Sequence, residues 1–385
     1  MRWAVPVGLG TMVVAATLVV PAVAASAGAD LPERTAQELL TDLQGADVTA
    51  VQGTVVLDAD LGLPSIPDLG GGGPYGSDLD AMSMLDGTTT MRVWASADGL
   101  RIAALGTMGE TALVTDGEEI WIWSSGDNTA SRLALPDGDG SRLPEHGKAM
   151  DDAAGRDHRA ALAALTPEQL SAMVVEALEP TTEVGTAPAT RVAGRPAYQL
   201  VLTPRAEGSL VGSVTIAIDA AERVPTRVTV TSSATGAAAL IVGYTDVSFT
   251  APDPSVFSFS PPAGATVEEV APGRPAPSTA LPDAPDGRPT VGEPQVVGEG
   301  WATVLAIPAV PGGPTGADLE AFGQDPAADP TLSALLAGMP RVTGDWGSGR
   351  LLSTNLLTVM VTDDGRTLIG AVDRATIEAA ASTTR

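Results

Sequence analysis

The chain lacks cysteine altogether, carries a single lysine, Lys148, and has two histidines among 385 residues. Without cysteine there can be no disulfide, no thiolate metal ligand, no cysteine nucleophile and no lipid attached through an N-terminal cysteine. Positive charge is scarce too: 21 Lys and Arg face 47 Asp and Glu, a net charge of −26. A chain this acidic is not expected to bind nucleic acid, which requires a basic footprint. It is also a poor match for general adsorption to anionic lipid. The two histidines, His146 and His158, lie in PEHGKAMDDAAGRDHRA (144–160) beside Glu145, Asp151, Asp152 and Asp157. Their spacing fits no metal template, and the run reads as a solvated polar loop. There is no G-x-S-x-G elbow, and Trp346-Gly347-Ser348-Gly349 reads as a turn before a strand. No nucleophile–base pair can be named, so neither catalysis nor a cofactor is expected.

What remains is mostly apolar and small. Hydrophobic residues make up 44%, enough for sizeable cores, and the length suits two domains. Aromatics are only 3%, so the six tryptophans stand out. The abundance of Arg, Ala, Gly, Pro and Asp reads as the output of a GC-rich, actinobacterial genome. Residues 1–29 place Arg2 before a long apolar run that ends in small-residue patterns such as Ala25-Ser26-Ala27. This is the pattern of a secretory signal peptide or an uncleaved membrane anchor, and either puts the rest of the chain outside the cytoplasm.

Asp30-Leu31-Pro32-Glu33 is expected to cap a helix with Ala36, Leu39, Leu40 and Leu43 as its apolar stripe and Gly45 as its end. VTAVQGTVVLDA (48–59) reads as a strand. Gly70 to Gly73 read as a tether, because no strand leads in and no Lys-Ser/Thr follows. A strand meander runs over TTTMRVWAS, LRIAALGTM, TALVTDG, EEIWIWSS and TASRLALP, turned at Ala97-Asp98-Gly99 and Asp116-Gly117. Alternation puts Met91, Val93 and Ala95 on one face with Leu100, Ile102, Ala104, Leu113, Ile120 and Ile122. The opposite face carries Arg92, Trp94, Arg101, Val114, Trp121 and Trp123. Something must shield those tryptophans, and the expected shields are the Gly-rich insertion (61–86) or the C-terminal domain. LTPEQLSAMVVEAL (165–178) reads as a second helix, and a second meander ends at FSFSPP. Residues 265–294 read as a Pro-rich linker, followed by a small α+β domain over 295–385. In that domain PTLSALLAG (330–338) reads as a short helix, and a hairpin should turn at Asp363–Arg366, ahead of a closing helix.

These motifs carry a resemblance. DGEEIWIW (116–123), GRPAYQLVLTP (194–204), VTIAIDAAERVPTRVTV (214–230) and YTDVSFTAPDPSVFSFSPPAG (244–264) follow one another as in the LolA / RseB / LppX-type lipoprotein-carrier superfamily. The chain resembles that superfamily over about residues 31–264. GEGWATVLAIP (298–308) and VMVTDDGRTLIGAVDRATIEAAA (359–381) are similar, more weakly, to the second domain of RseB. The resemblance implies an α+β fold: a curved antiparallel half-barrel of about eleven strands with helices on its concave face (30–264), plus the small C-terminal domain. It implies a hydrophobic cavity for a lipid or acylated ligand. The expected ligand-binding residues are Leu39, Met91, Val93, Ile102 and Leu113, with Ile120, Ile122, Met173, Leu200 and Ile216. The alternative it implies is an envelope-stress sensor whose partner is a membrane-bound anti-sigma regulator.

Overall fold

The computed structural model describes residues 30–46, 48–63, 86–106, 109–134, 180–269, 294–309, 315, 316, 318 and 339–384. Expectations for the N-terminal segment, the Gly-rich tether, the histidine loop and the helices over 165–178 and 330–338 fall outside these residues.

The first helix, α1, spans Ala36–Gln44. Its cap is Thr35, whose hydroxyl accepts from the Glu38 amide while the Glu38 carboxylate accepts from the Thr35 amide. This corrects the expected Asp30/Glu33 capping box by five residues. Both pairs have the required three-residue spacing, but Thr35 stands directly before the apolar stripe, whose burial fixes where the first turn begins. Gly45 ends the helix as expected.

The meanders form one sheet. Its strands are β1 (Val51–Asp60), β2 (Asp86–Ser96), β3 (Gly99–Leu105), β4 (Glu110–Thr115), β5 (Glu119–Ser124) and β6 (Thr129–Ala134). They continue with β7 (Thr182–Val192), β8 (Arg195–Pro204), β9 (Val211–Asp219), β10 (Pro225–Ser232), β11 (Ala238–Ser248) and β12 (Thr266–Glu269). The order across the sheet is β12-β6-β5-β4-β3-β2-β1-β11-β10-β9-β8-β7. The two meanders therefore join through β1 and β11, and the whole is a curved half-barrel. The twelfth strand, β12, pairs parallel with β6 and lies at the start of the segment read as a linker.

A smaller sheet follows, made of β13 (Gln295–Val297), β14 (Val304–Ile307), β15 (Arg341–Gly344), β16 (Gly347–Ser353), β17 (Thr358–Thr362) and β18 (Thr367–Gly370). Its order is β13-β14-β18-β17-β16-β15. The hairpin at 363–366 and the closing helix α2 (Arg374–Thr383) form where the sequence placed them. Met360, Leu368, Val372 and Ile377, all fully buried, fill the space between sheet and helix. Arg366 is buried there as well. It pairs with Asp364 and donates to the Ala381 carbonyl at 2.9 Å, where the end of α2 concentrates unpaired carbonyls. The small domain is fastened to the half-barrel by the amide of Leu210 on the Ala371 carbonyl (2.9 Å) and that of Asp373 on the Gly208 carbonyl (2.7 Å). Trp301 adds an indole hydrogen bond to the Thr182 hydroxyl at 2.7 Å.

Candidate functional site

In an antiparallel pair, directly opposed residues point to the same side of the sheet. One row of neighbours runs Gly53, Val93, Ile102, Leu113, Ile122 across β1 to β5. A second runs Leu57, Val242, Val228, Ile216, Leu200 across β1, β11, β10, β9 and β8. Alternation places both rows on one side, the inner face, over which α1 lies. The alternation expected from the sequence holds: Met91 opposes Ala104, Val93 opposes Ile102 and Leu113 opposes Ile122.

Charge is segregated completely between the two sides of β1–β6 and β8–β11. Asp58, Arg92, Arg101, Glu110, Glu119, Arg132, Arg227 and Asp246 all alternate onto the outer face. The inner face of those strands carries only apolar residues, glycine, Ser, Thr and tyrosine. Where the face is covered, a charge turned inward would lose its hydration with no counter-charge beside it, which costs several kcal/mol.

The inner face falls into two parts. Under α1, Leu39 packs on Leu200 and Ile218, with Leu40, Leu43, Tyr198 and Ile216 around them. Leu39 and Leu200 are each 1% exposed, so this end is a closed core. Toward β5 the cover thins. Met91, Val93, Ile102, Leu113 and Ile120 are half-buried, and Ile122 is 50% exposed. Among the described residues, α1 is the helix that packs on this face. Nine of the ten expected ligand-binding residues thus belong to this face or to the helix on it. Leu39, Leu200 and Ile216 are engaged in its core, and Met173 lies outside the described residues. Beside α1 a pocket of about 480 Å³ is lined by Leu31, Pro32, Arg34, Leu39, Thr186 and Tyr198, among others. Arg34 closes its rim by stacking over the Tyr198 ring (5.6 Å) and pairing with Asp42.

The outer face is sealed by the chain's own continuation. After β11, Phe249 meets Arg195, whose guanidinium lies 5.0 Å from the ring centroid. Arg195 is held in turn by the buried carboxylate of Asp219. Burial alone would raise the Asp219 carboxyl, but Arg195 and the Ala221 and Glu222 amides outweigh it and hold the group below its usual range. The 3-10 turn at Pro254–Phe257 then packs on β3, and Phe257 is 3% exposed against Gly99. Phe259 follows, 5.4 Å from Trp121 and 6.0 Å from Trp123. Among the described residues it is this strap, not the C-terminal domain, that meets Trp121 and Trp123; the Gly-rich insertion lies outside the described residues. The aromatic run in VFSF supplies the cover locally, and β12 ties its far end to β6. Glu119 completes the surface, accepting from the Trp121 indole and the Arg132 guanidinium, both at 2.6 Å.

One inner-face residue went unnoticed in the sequence, Tyr244. Its signal is the alternation Leu240, Val242, Tyr244 along β11, where the third place breaks an aliphatic series. Burial pushes its phenol above the ordinary range.

Comparison with solved structures finds likenesses that include proteins of the families the sequence resembles. The chain is similar to MucB in a structure of the Pseudomonas aeruginosa MucA/MucB complex, at 16% identity over 90% of this chain and 96% of that one, with a TM-score of 0.40. It is similar to an uncharacterized conserved protein of Thermus thermophilus at 14% identity, 61% of this chain, 99% of that one and a TM-score of 0.32. A LolA superfamily protein of Nitrosomonas europaea matches at 12% identity, 59% of this chain and 99% of that one, with a TM-score of 0.22. No family model matches the chain, and no curated protein matches it. At these scores the likenesses carry no argument about function.

Proposed function

We propose that this chain is an extracytoplasmic binding protein that holds the acyl part of a lipid or lipidated molecule on the inner face of its half-barrel, without catalysis. The observation that carries this reading is the unequal treatment of the two faces. The outer face is closed by the chain's own strap. The inner side of β1–β6 and β8–β11 carries no charged strand residue; the face is closed by α1 at one end and ends in a half-exposed aliphatic row from Val93 to Ile122. An acyl chain laid on that row gains about 0.8 kcal/mol for each methylene removed from water. Solvent extraction and mass spectrometry of the purified full chain test the reading. An acyl-bearing species recovered near one per chain is expected, and its loss in Leu113→Arg with the fold intact. A chain that comes out empty and takes up no lipid overturns it.

A second reading is favoured by a separate surface. On the small sheet, the face opposite α2 carries the cross-strand row Val296, Leu305, Ile369, Val359, Leu352. Val296 is 68% and Leu305 38% exposed. That surface fits the extracytoplasmic segment of a membrane-bound regulator. Binding of such a segment to the empty chain, abolished by Val296→Glu and Leu305→Glu together, decides for it.

A further inference from the structure

We propose that Tyr244 is the polar anchor of the inner-face site, its hydroxyl donating a hydrogen bond to the carbonyl oxygen of an acyl ester or amide; this rests on the lipid-binding reading above. Tyr244 sits where the two halves of the sheet join. It opposes Val55 of β1, which opposes Met91 of β2 on the other side, so its neighbours on the face are aliphatic.

The backbone is shaped around it. The β1–β11 register shifts between Thr54 and Val55: Val55 opposes Tyr244 while Thr54 opposes Asp246, leaving Thr245 as an extra residue. Such a bulge in the middle of a sheet re-aims the side chain next to it. Gly53 provides the space. A Cβ there would lie 3.1 Å from the Tyr244 ring and 2.2 Å from the Asp246 carbonyl oxygen. Bulge and glycine together let the ring lie over β1 on the inner face.

The hydroxyl has no hydrogen-bond partner among the described residues. Burial alone accounts for the raised phenol. Tyr198, by contrast, has its ring under the Arg34 guanidinium, 5.6 Å from the centroid. The hydroxyl is not among the buried polar atoms left without a partner, so in the empty chain it meets water, and a ligand oxygen at that height would take the water's place. The same face selects the acceptor. No strand residue on the inner side of β1–β6 or β8–β11 is a cation, and Arg34, which lies over Tyr198 at the α1 end, is already paired with Asp42, so among the described residues a carboxylate or phosphate beside Tyr244 would lack a free counter-charge. A neutral carbonyl meets the hydroxyl at no such cost.

The test uses the full chain and Tyr244→Phe, which keeps the ring over Gly53 and removes only the hydroxyl. A lipophilic dye without a carbonyl, N-phenyl-1-naphthylamine, is displaced by methyl palmitate or by its carbonyl-free counterpart, methyl hexadecyl ether. The expected result is an apparent Kd for methyl palmitate weakened about five- to tenfold, as for one neutral hydrogen bond, with the ether unchanged. Equal weakening of both probes, or of neither, overturns the assignment and leaves the lipid-binding reading standing. If the unaltered chain binds neither dye nor ester, the lipid-binding reading itself falls, and the anchor falls with it.

Discussion

The two faces of the large sheet are built from the same strands, yet among the described residues one is covered along β3–β5 and the other is covered only at its α1 end. On the outer face, Phe259 covers Trp121 and Trp123 and the turn that ends in Phe257 packs on β3, with Arg195, Asp219 and Phe249 fastening the strap's start. On the inner face α1 closes the β7–β9 end, and exposure rises toward Ile122. The contrast teaches that apolar content does not by itself mark a binding surface. The more aromatic face is the covered one, because its cover is only a few residues further along the chain. Ring stacking adds to the area buried there and holds the strap in one arrangement.

The contrast breaks most visibly by attacking the strap. Phe257→Ala should cost about 3–5 kcal/mol, as large-to-small changes of a buried aromatic do, and urea unfolding measures it. A loss under about 1 kcal/mol would mean the strap does not seal the outer face. Asp219→Asn comes next, with an expected loss of about 2 kcal/mol, because Arg195 loses its charge-assisted hydrogen bonds to the buried carboxylate and keeps only Glu222, at 3.5 Å. Its pH dependence has a definite sign. The folded carboxyl titrates below its unfolded value, so its contribution is complete above the ordinary carboxylate range and is lost as pH falls through the folded pKa. Acid unfolding followed by circular dichroism should be shallower in the asparagine variant, and an unchanged acid limb would count against the pairing. Thr35→Ala should cost about 1 kcal/mol by removing the cap of α1, read from the thermal midpoint. Smallest in stability, and sharpest for the comparison, is Ile122→Arg. At 50% exposure it should shift stability by no more than about 0.5 kcal/mol while abolishing acyl-chain binding. Full retention of ligand there would place the site elsewhere.

Much of this was legible in the chain itself. Strict alternation told which residues share a face, and tight turns such as Asp116-Gly117 told which strands pair, so the register around Ile102, Leu113 and Ile122 followed. The strap was not legible, because VFSF reads as the end of a strand and nothing local says that its rings return over β5. The cap of α1 was placed five residues early because two capping boxes lie in tandem and only burial of Leu39 on Leu200 selects between them. Tyr244 was missed for a related reason: a bulge is a property of two strands in register, and Gly53 lies 191 residues before the tyrosine it accommodates.

By itself, then, the sequence determined the elements, the alternation that sends every charge of β1–β6 and β8–β11 to one side, and the absence of cysteine and near-absence of lysine and histidine. These are local quantities, set by the period of the strand and by composition. Which apolar face is covered, and by what, was decided only in the folded chain. Cover is a contact between segments far apart in sequence, and the same side chain is core or ligand site according to whether another part of the chain reaches it first.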